Sequence, residues 1–310
     1  MSITSLPDLL SLYRTDARVA RVTDALREKA ARVQVGGTIG SSQALIAQAV
    51  MQQSPGVHVF VLTDREEAAY FLNDLEALGG HTKGDGELRE RGKQAKDQEL
   101  FFYPAPMRPA YDPEGQHDGE RVTRTEVLEM LMKASKGEWE LVNGEWEKQG
   151  SVPVANSHPP TPSHHSPCTK NLIIVTYPEA LVPLVMGKEE MAKNTLAIKR
   201  NEELPIDTLE EWLQETGFSR VEFVYEPGQF SIRGGIVDVF SYGSDKPYRI
   251  ELYGDTVESV RRFDPQDQLT VERLAEAVIV PDLQDEDAAR QQLFFAQLPQ
   301  NAVVWLRDLQ

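Results

Sequence analysis

Nearly continuous apolar runs alternate with helical periodicities through the first half of this chain. Three of these runs have the length and composition of buried strands: residues 57–62, 100–103 and 172–175. Residues 65–78 follow the first run and place Ala68, Phe71 and Leu75 on one helix face, behind the predicted N-cap residue Asp64. Alternating buried strands and amphipathic helices predict an α/β domain whose parallel sheet is covered by helices.

A glycine-containing turn links a predicted strand at residues 31–35 to a predicted helix that begins at Ser41. Backbone N–H groups and the helix N-terminus can face an anion at such a turn, so a phosphate-binding loop belongs here. The residues of this glycine loop are Gly37, Gly40, Ser41, Ser42, Gln43 and Ala44.

Three residues of the glycine loop depart from the pattern G-x-x-x-x-G-K-[S/T]. Gln43 replaces the lysine that binds phosphate, Ala44 replaces the hydroxyl that binds Mg²⁺, and Ser42 replaces the last glycine. The dinucleotide pattern G-x-G-x-x-G also fails, because Val35 occupies the first glycine position. We therefore expect a degenerate phosphate loop without ATP hydrolysis. Two alternatives stay open: an anion held by backbone N–H groups, and an ordinary turn between strand and helix.

After residue 193 the pattern changes to one amphipathic helix, residues 206–216, followed by short strands with glycine turns. The predicted strands are residues 220–225, 229–233, 235–240, 248–253 and 257–263. Such spacing favours antiparallel pairing and a small α+β domain. The apolar pattern returns near Leu274, and residues 302–306 predict another buried strand.

These changes predict three parts of the chain. Residues 1–193 form a motor-like α/β domain, 194–272 form an inserted α+β domain, and 273–310 return to the α/β domain. The polar stretch 82–98 and the Pro/Ser/His-rich stretch 135–170 are predicted to be flexible excursions. Because a buried strand lies so close to the last residue, we expect the chain to be a piece of a longer protein.

Composition narrows the class of protein. Of 310 residues, 40% are hydrophobic and 26% are charged, which is typical of a globular protein. The balance of 32 basic and 49 acidic residues gives a net charge of −17, which disfavours DNA binding over most of the surface. The sequence has one cysteine, Cys168, and neither a membrane span nor a signal peptide is expected, so we predict a cytoplasmic protein. We expect no metal site, because His164, His165 and Cys168 offer too few ligands.

Several segments resemble known DNA-repair proteins. Four segments resemble, in the same order, parts of the first motor domain of UvrB. They are GTIGSSQA, VHVFVLTD, the segment from FFYPAP to VLEML, and LIIVTYPEAL. The segment from FVYEPG to FDPQDQ is similar to one that UvrB shares with bacterial transcription-repair coupling factor (Mfd). Its central motif contains Arg233, Gly234, Asp238 and Phe240, and the next strand carries Arg249.

This resemblance implies a degenerate RecA/P-loop-like parallel sheet with an inserted, smaller domain similar to UvrB domain 2. The departures at Gln43 and Ala44, and Arg307-Asp308 in place of an Asp-Glu pair for Mg²⁺, favour the N-terminal module of the coupling factor over UvrB. That identity implies an adaptor that recruits UvrA to stalled RNA polymerase in transcription-coupled nucleotide excision repair. It implies no catalytic residue and no cofactor in this segment.

The longer protein implied by the resemblance is a DNA translocase that uses ATP and Mg²⁺. It would bind RNA polymerase and DNA through parts outside this segment. By motif position, the residues implied to bind UvrA are Arg220, Arg233 and Arg249. The alternative for these arginines is a solvated sheet face or internal pairing with Glu251 or Glu258. Two alternatives for the chain also stay open: an active, nucleotide-dependent protein like UvrB, and an unrelated α/β enzyme that holds an anionic ligand on the glycine loop.

Overall fold

The computed structural model describes residues 5–28, 31–79, 98–106, 118–136, 171–282 and 291–307. The helices in these ranges are α1 (Leu6–Thr15), α2 (Ala17–Ala25), α3 (Ser42–Met51), α4 (Arg65–Leu78), α5 (Asp118–Lys136), α6 (Pro178–Leu181), α7 (Lys188–Lys193) and α8 (Ile206–Glu215). None of the described helices is both long and apolar enough to cross a membrane.

The first five strands along the chain are β1 (Val57–Val61), β2 (Gln98–Phe102), β3 (Asn171–Thr176), β4 (Val185–Met186) and β5 (Leu196–Lys199). Those that follow are β6 (Ser219–Arg220), β7 (Gln229–Arg233), β8 (Ile236–Val239), β9 (Tyr248–Tyr253), β10 (Thr256–Phe263), β11 (Thr270–Leu274), β12 (Glu276–Ile279), β13 (Gln291–Gln292) and β14 (Val303–Leu306).

Four strands form a parallel sheet in the order β14-β1-β3-β2. β1 and β3 are buried along their whole length, which explains why their sequences are apolar without alternation. Phe60 of β1, Leu75 of α4, Leu131 of α5 and Ile174 of β3 share one hydrophobic core. The predicted parallel sheet with helices packed against it is confirmed.

One polar side chain, His58, lies fully buried in β1. Its Nδ1 is 3.1 Å from Nε1 of Trp305 in β14, and its Nε2 is 2.9 Å from the carbonyl oxygen of Ser54. An indole N–H can only donate, so Nδ1 accepts and Nε2 carries the proton. Burial lowers the pKa of His58 to about 4, because it disfavours the charged imidazolium.

The strand predicted at residues 31–35 is absent from the parallel sheet. Residues 31–36 have no regular secondary structure, and Val33 and Val35 are exposed. A short apolar run becomes a strand only when a neighbouring strand pairs with it, and β14 and β2 are the edges of this sheet. The predicted order of strand, glycine turn and helix is therefore wrong at its first element.

Six strands form a second sheet in the order β11-β10-β9-β8-β7-β6. Every pair is antiparallel except β6 and β7, which are parallel. The predicted antiparallel pairing is confirmed for β7 to β10, while β11 was not predicted. One face of this sheet packs Phe230, Val237 and Ile250 against Leu209 and Leu213 of α8, so the strands alternate between apolar and polar residues.

The strand predicted at residues 220–225 shrinks to two residues. After Val221 the chain leaves the sheet, and the carbonyl oxygen of Glu222 accepts from Oγ of Ser231 (2.8 Å) and Nη1 of Arg233 (3.0 Å). Side-chain donors thus take a carbonyl that a longer strand would offer to a backbone N–H group.

Two glycines make the hairpin between β7 and β8. Gly234 has a φ of 61°, which favours glycine. At Gly235, an added Cβ would lie 2.6 Å from the carbonyl oxygen of Leu252 in β9, so a side chain would displace backbone. The Gly-Gly pair is required both by the turn and by the close approach of the third strand.

β5 and β12 pair as antiparallel neighbours where the chain enters and leaves the second sheet region. Ala277 and Ile279 of β12 pack in the same core as α8. The division into 1–193, 194–272 and 273–310 stays a prediction. Most of the predicted excursions, residues 82–97 and 137–170, lie outside the described residues.

Candidate functional site

The glycine loop precedes α3 and turns on two glycines with positive φ, 77° at Gly37 and 55° at Gly40. Ser42 makes two hydrogen bonds to Ile39 across the turn. Its Oγ accepts from the backbone N–H of Ile39 (2.9 Å) and donates to the carbonyl oxygen of Ile39 (2.7 Å). Gln43 donates from Nε2 to Oγ1 of Thr38, at 3.1 Å. The side chains of Ser42 and Gln43 thus bond within the loop.

Two backbone N–H groups of the loop also bond within it. The N–H groups of Ser42 and Gln43 point to the carbonyl oxygens of Ile39 (3.3 Å) and Gly40 (3.5 Å). Ser41 precedes α3 without a side-chain cap, and Ala44 is fully buried in the core of the parallel sheet. A phosphate-binding loop needs a lysine beside N–H groups that face the ligand, and Gln43 supplies no such positive charge here.

Arg307 follows β14, at the position where the resemblance to UvrB places one acidic ligand for Mg²⁺. Its guanidinium forms an ion pair with Glu67 of α4, and its backbone N–H donates to the carbonyl oxygen of Val61 (3.1 Å). Asp308 lies outside the described residues, as do His164, His165 and Cys168. The described part of the chain contains no cluster of three or more His, Cys, Asp or Glu side chains that would hold a metal ion.

Most charged side chains of the second sheet lie on the face that points away from α8. We call this face the polar face. It is made of two cross-strand rows: Ser231, Asp238, Arg249, Arg261 and Arg273 in one, and Arg233, Ile236, Glu251 and Ser259 in the other. Directly opposed residues of neighbouring strands project to the same side of a sheet, so each row is a line of neighbours.

Asp238 is the centre of this arrangement and its side chain is 1% exposed. Its carboxylate accepts from Nη2 of Arg233 (2.6 Å) and from Nε and Nη2 of Arg249 (2.7 and 2.8 Å). The hydrogen bond to Asp238 raises the pKa of Arg249 above its ordinary value. A buried carboxylate is stable only when such donors compensate for its lost hydration.

Aromatic rings hold both guanidinium groups in place. Arg233 lies over the ring of Phe223, 4.9 Å from its centroid, and Arg249 lies over Phe263 at 4.2 Å. Arg249 also donates to Oε1 of Gln268 at 2.7 Å. The side chain of Arg249 is 14% exposed and that of Arg233 is 35% exposed, so the two arginines border the surface to different degrees.

Arg220 lies on the edge strand β6, directly opposite Phe230, so its side chain is on the face that packs against α8 and not on the polar face. It forms an ion pair with Glu210 of α8, and its side chain is 53% exposed. The structure therefore brings Arg233 and Arg249 together on Asp238 and leaves Arg220 apart. The internal partner of the two paired arginines is Asp238, and neither Glu251 nor Glu258 takes that role.

Sequence reasoning missed Arg261 and Arg273, the remaining arginines of the polar face. Arg261 forms an ion pair with Glu251. The sequence could have indicated Arg261, because the alternation of Ser259, Val260 and Arg261 places Ser259 and Arg261 on the same face of a strand. Arg273 could not be found in this way, because β11 itself was not predicted.

A cleft of about 620 Å³ lies between the two sheet regions. Phe102, Pro104 and Val122 line it from the parallel side, and Tyr225 and Phe240 line it from the other. The described residues that line it include none of the glycine loop. This cleft gives no support to an anionic ligand held by the loop.

Comparison with known proteins identifies the central region. Residues 196–284 match the UvrB interaction domain family, from β5 to just beyond β12. The transcription-repair-coupling factor of Myxococcus xanthus is 48% identical over 75 residues, which are 24% of this chain and 6% of that protein. That of Bacillus subtilis is 37% identical over 109 residues, 35% of this chain and 9% of that protein. The resemblance of the strand block to this family is confirmed.

UvrB itself is also similar. The UvrABC system protein B of Thermus thermophilus is 33% identical over 107 residues, which are 34% of this chain and 16% of that protein. The matched segments thus span 6–16% of the length of these three relatives. The family match at residues 196–284 covers the second sheet region, where the polar face lies.

Proposed function

We propose that this chain is an adaptor module that binds UvrA through the polar face of the second sheet. The match of residues 196–284 to the UvrB interaction domain family carries the proposal. The coupling-factor relatives support a role in transcription-coupled nucleotide excision repair, in which the module brings UvrA to stalled RNA polymerase.

The residues proposed to contact UvrA are Arg233 and Arg249 on the polar face and Arg220 on the adjoining edge strand β6. The side chains of Arg220 and Arg233 are more exposed than that of Arg249. Arg249 is more buried and holds Asp238, which in turn orients Arg233. Arginine suits a protein interface because its planar fork pairs with carboxylates in a bidentate way and loses its hydration more easily than lysine does.

We also propose that this segment hydrolyses no ATP and needs no cofactor. The inward hydrogen bonds of the glycine loop and the ion pair of Arg307 with Glu67 support this. The longer protein is then a DNA translocase that uses ATP and Mg²⁺ and contacts RNA polymerase and DNA through its other domains. The compartment consistent with these partners is the cytoplasm.

The test is calorimetric titration of the chain with purified UvrA. Arg220→Ala and Arg233→Ala are each expected to weaken binding by about tenfold, as truncation of an interface arginine does. Arg21→Ala is the matched control, because Arg21 is an exposed arginine of α2, outside the sheet. Circular dichroism verifies that each variant is folded.

Two results would contradict the proposal. One is a wild-type chain that shows no heat of binding with UvrA. The other is a pair of sheet variants that bind as tightly as Arg21→Ala does, since that would remove the polar face from the interface.

A further inference from the structure

Arginines from three neighbouring strands lie in one row of the polar face. Arg249 on β9, Arg261 on β10 and Arg273 on β11 are paired in register. Directly opposed residues lie about 5 Å apart, and like charges at that distance destabilise a sheet. The row concentrates positive charge on a chain whose net charge is −17.

The three arginines differ in their partners. Arg249 is paired with Asp238, and Arg261 is paired with Glu251. Among the residues that the structure describes, no carboxylate lies within ion-pair distance of Arg273, and this arginine is exposed. Its guanidinium is therefore available to a partner from outside the chain.

Arg273 and Arg200 line a surface notch of about 290 Å³, together with Arg261, Glu251, Glu258 and Ser259. We call it the β10–β11 notch. Arg200 donates from Nε to the carbonyl oxygen of Glu258 (3.0 Å), and no described carboxylate pairs with it. Glu251 already accepts from Oγ of Ser259 (2.6 Å) and from Arg261. The guanidinium groups of Arg200 and Arg273 can thus both bind an anion from outside the chain.

The chemistry of the notch favours carboxylates of a protein over a nucleic-acid backbone. A guanidinium fork pairs with either anion, but nucleic-acid affinity grows with the number of phosphates neutralised. Here only two such arginines face the notch, which is too few to neutralise a run of phosphates. Separate Asp or Glu side chains can pair with Arg200 and Arg273 one at a time.

We infer that the β10–β11 notch is a second part of the UvrA-binding face and binds an acidic segment of that partner. This inference rests on the proposed function. The sheet order places β7 and β11 four strands, or about 19 Å, apart, which is within the width of a standard protein interface. One partner surface can therefore reach from Arg233 to Arg273.

The experiment measures the affinity of UvrA for three chains: wild type, Arg273→Glu and Arg21→Glu. The two substitutions reverse the same charge at exposed arginines, one in the notch and one on α2. Arg273→Glu is expected to weaken binding by about tenfold at low salt and by less at high salt, and Arg21→Glu by less than about twofold. A decaglutamate peptide is expected to compete with UvrA for wild type and to compete less well for Arg273→Glu.

Each other outcome overturns the inference in a recognisable way. UvrA binding that is equal for Arg273→Glu and Arg21→Glu overturns this inference and leaves the proposed function standing. No UvrA binding by wild type overturns both. A ten-residue oligothymidylate that binds wild type more tightly than decaglutamate does, and loses that binding in Arg273→Glu, would assign the notch to nucleic acid.

Discussion

The glycine loop and the polar face both contain residues for which the sequence predicted a function, but their polar side chains bond differently. In the loop, Ser42 and Gln43 bond to residues of the same turn. On the polar face, Asp238 pairs with two arginines from different strands, while Arg273 remains exposed. Side-chain donors that bond within their own turn are not available to a ligand, whereas a row of charges across strands can present several groups to a partner.

The two sheets also differ in the kind of polar group that each buries. Asp238 is a carboxylate between cations on the second sheet, and His58 is an imidazole between Trp305 and the carbonyl oxygen of Ser54 in the first. Each group is compensated by specific partners, so each should show its own response when a partner or a proton is changed.

The largest expected effect follows from Asp238→Ala. Removing this carboxylate leaves Arg249 largely buried without its ion pair, and the free energy of unfolding should fall by about 3 kcal/mol. Urea unfolding measures this. Glu272→Ala is the matched control, because it breaks the more exposed ion pair with Arg262 on the same sheet and should cost less than about 1 kcal/mol. Equal losses in the two variants would show that Asp238 is not the centre of the polar face.

A smaller effect is expected from pH at His58. Its pKa is lowered to about 4 in the folded chain, against 6.5 for the ordinary group, so the unfolded chain binds the proton more readily. Stability from this group is complete above pH 6.5 and is lost as pH falls towards 4, by about 2 kcal/mol at pH 5. A protonated Nδ1 would also face the N–H donor of Trp305.

Urea unfolding of wild type and His58→Gln at pH 7 and pH 5 isolates this contribution, because other titrating groups are common to both chains. Wild type should lose about 2 kcal/mol more than the variant between the two pH values. A variant with the same pH dependence as wild type would mean that His58 titrates normally.

The smallest expected effect is that of Gln43→Lys in the glycine loop. Restoring this lysine should give no ATP hydrolysis and no thermal shift with ATP and Mg²⁺, because Ala44 is buried and supplies no hydroxyl for the metal. Phosphate release and differential scanning fluorimetry measure the two results. Turnover by Gln43→Lys would show that one charge was the missing part, and the loop would then be a nucleotide site.

Local pattern was a good guide where burial is uniform. The runs that became β1 and β3 were found because both faces of these strands are covered, so every position is apolar. The antiparallel block was found from alternation and glycine turns, as at Gly234 and Gly235. The resemblance carried by Arg233, Asp238 and Arg249 identified the UvrB interaction domain family, which the comparison confirmed.

The local sequence pattern gave wrong predictions where secondary structure depends on pairing with a distant segment. Residues 31–35 are as apolar as a short strand, but no neighbouring strand of the parallel sheet pairs with them. Residues 221–225 have the composition of a strand, but Ser231 and Arg233 take the carbonyl oxygen of Glu222. β11 is mostly exposed, so its apolar residues are few and gave no pattern to recognise.

The sequence by itself determined the α/β pattern, the antiparallel block, the loss of the phosphate-binding lysine and hydroxyl, and the family of the central region. It did so because these properties depend on residue type and on spacing along the chain. Only the tertiary structure decided that Arg233 and Arg249 share Asp238 and that Arg273 lies beside Arg261 without a carboxylate of its own in the described residues. Ion pairing and cross-strand register depend on distances between residues far apart in sequence, and those distances exist only once the sheet has formed.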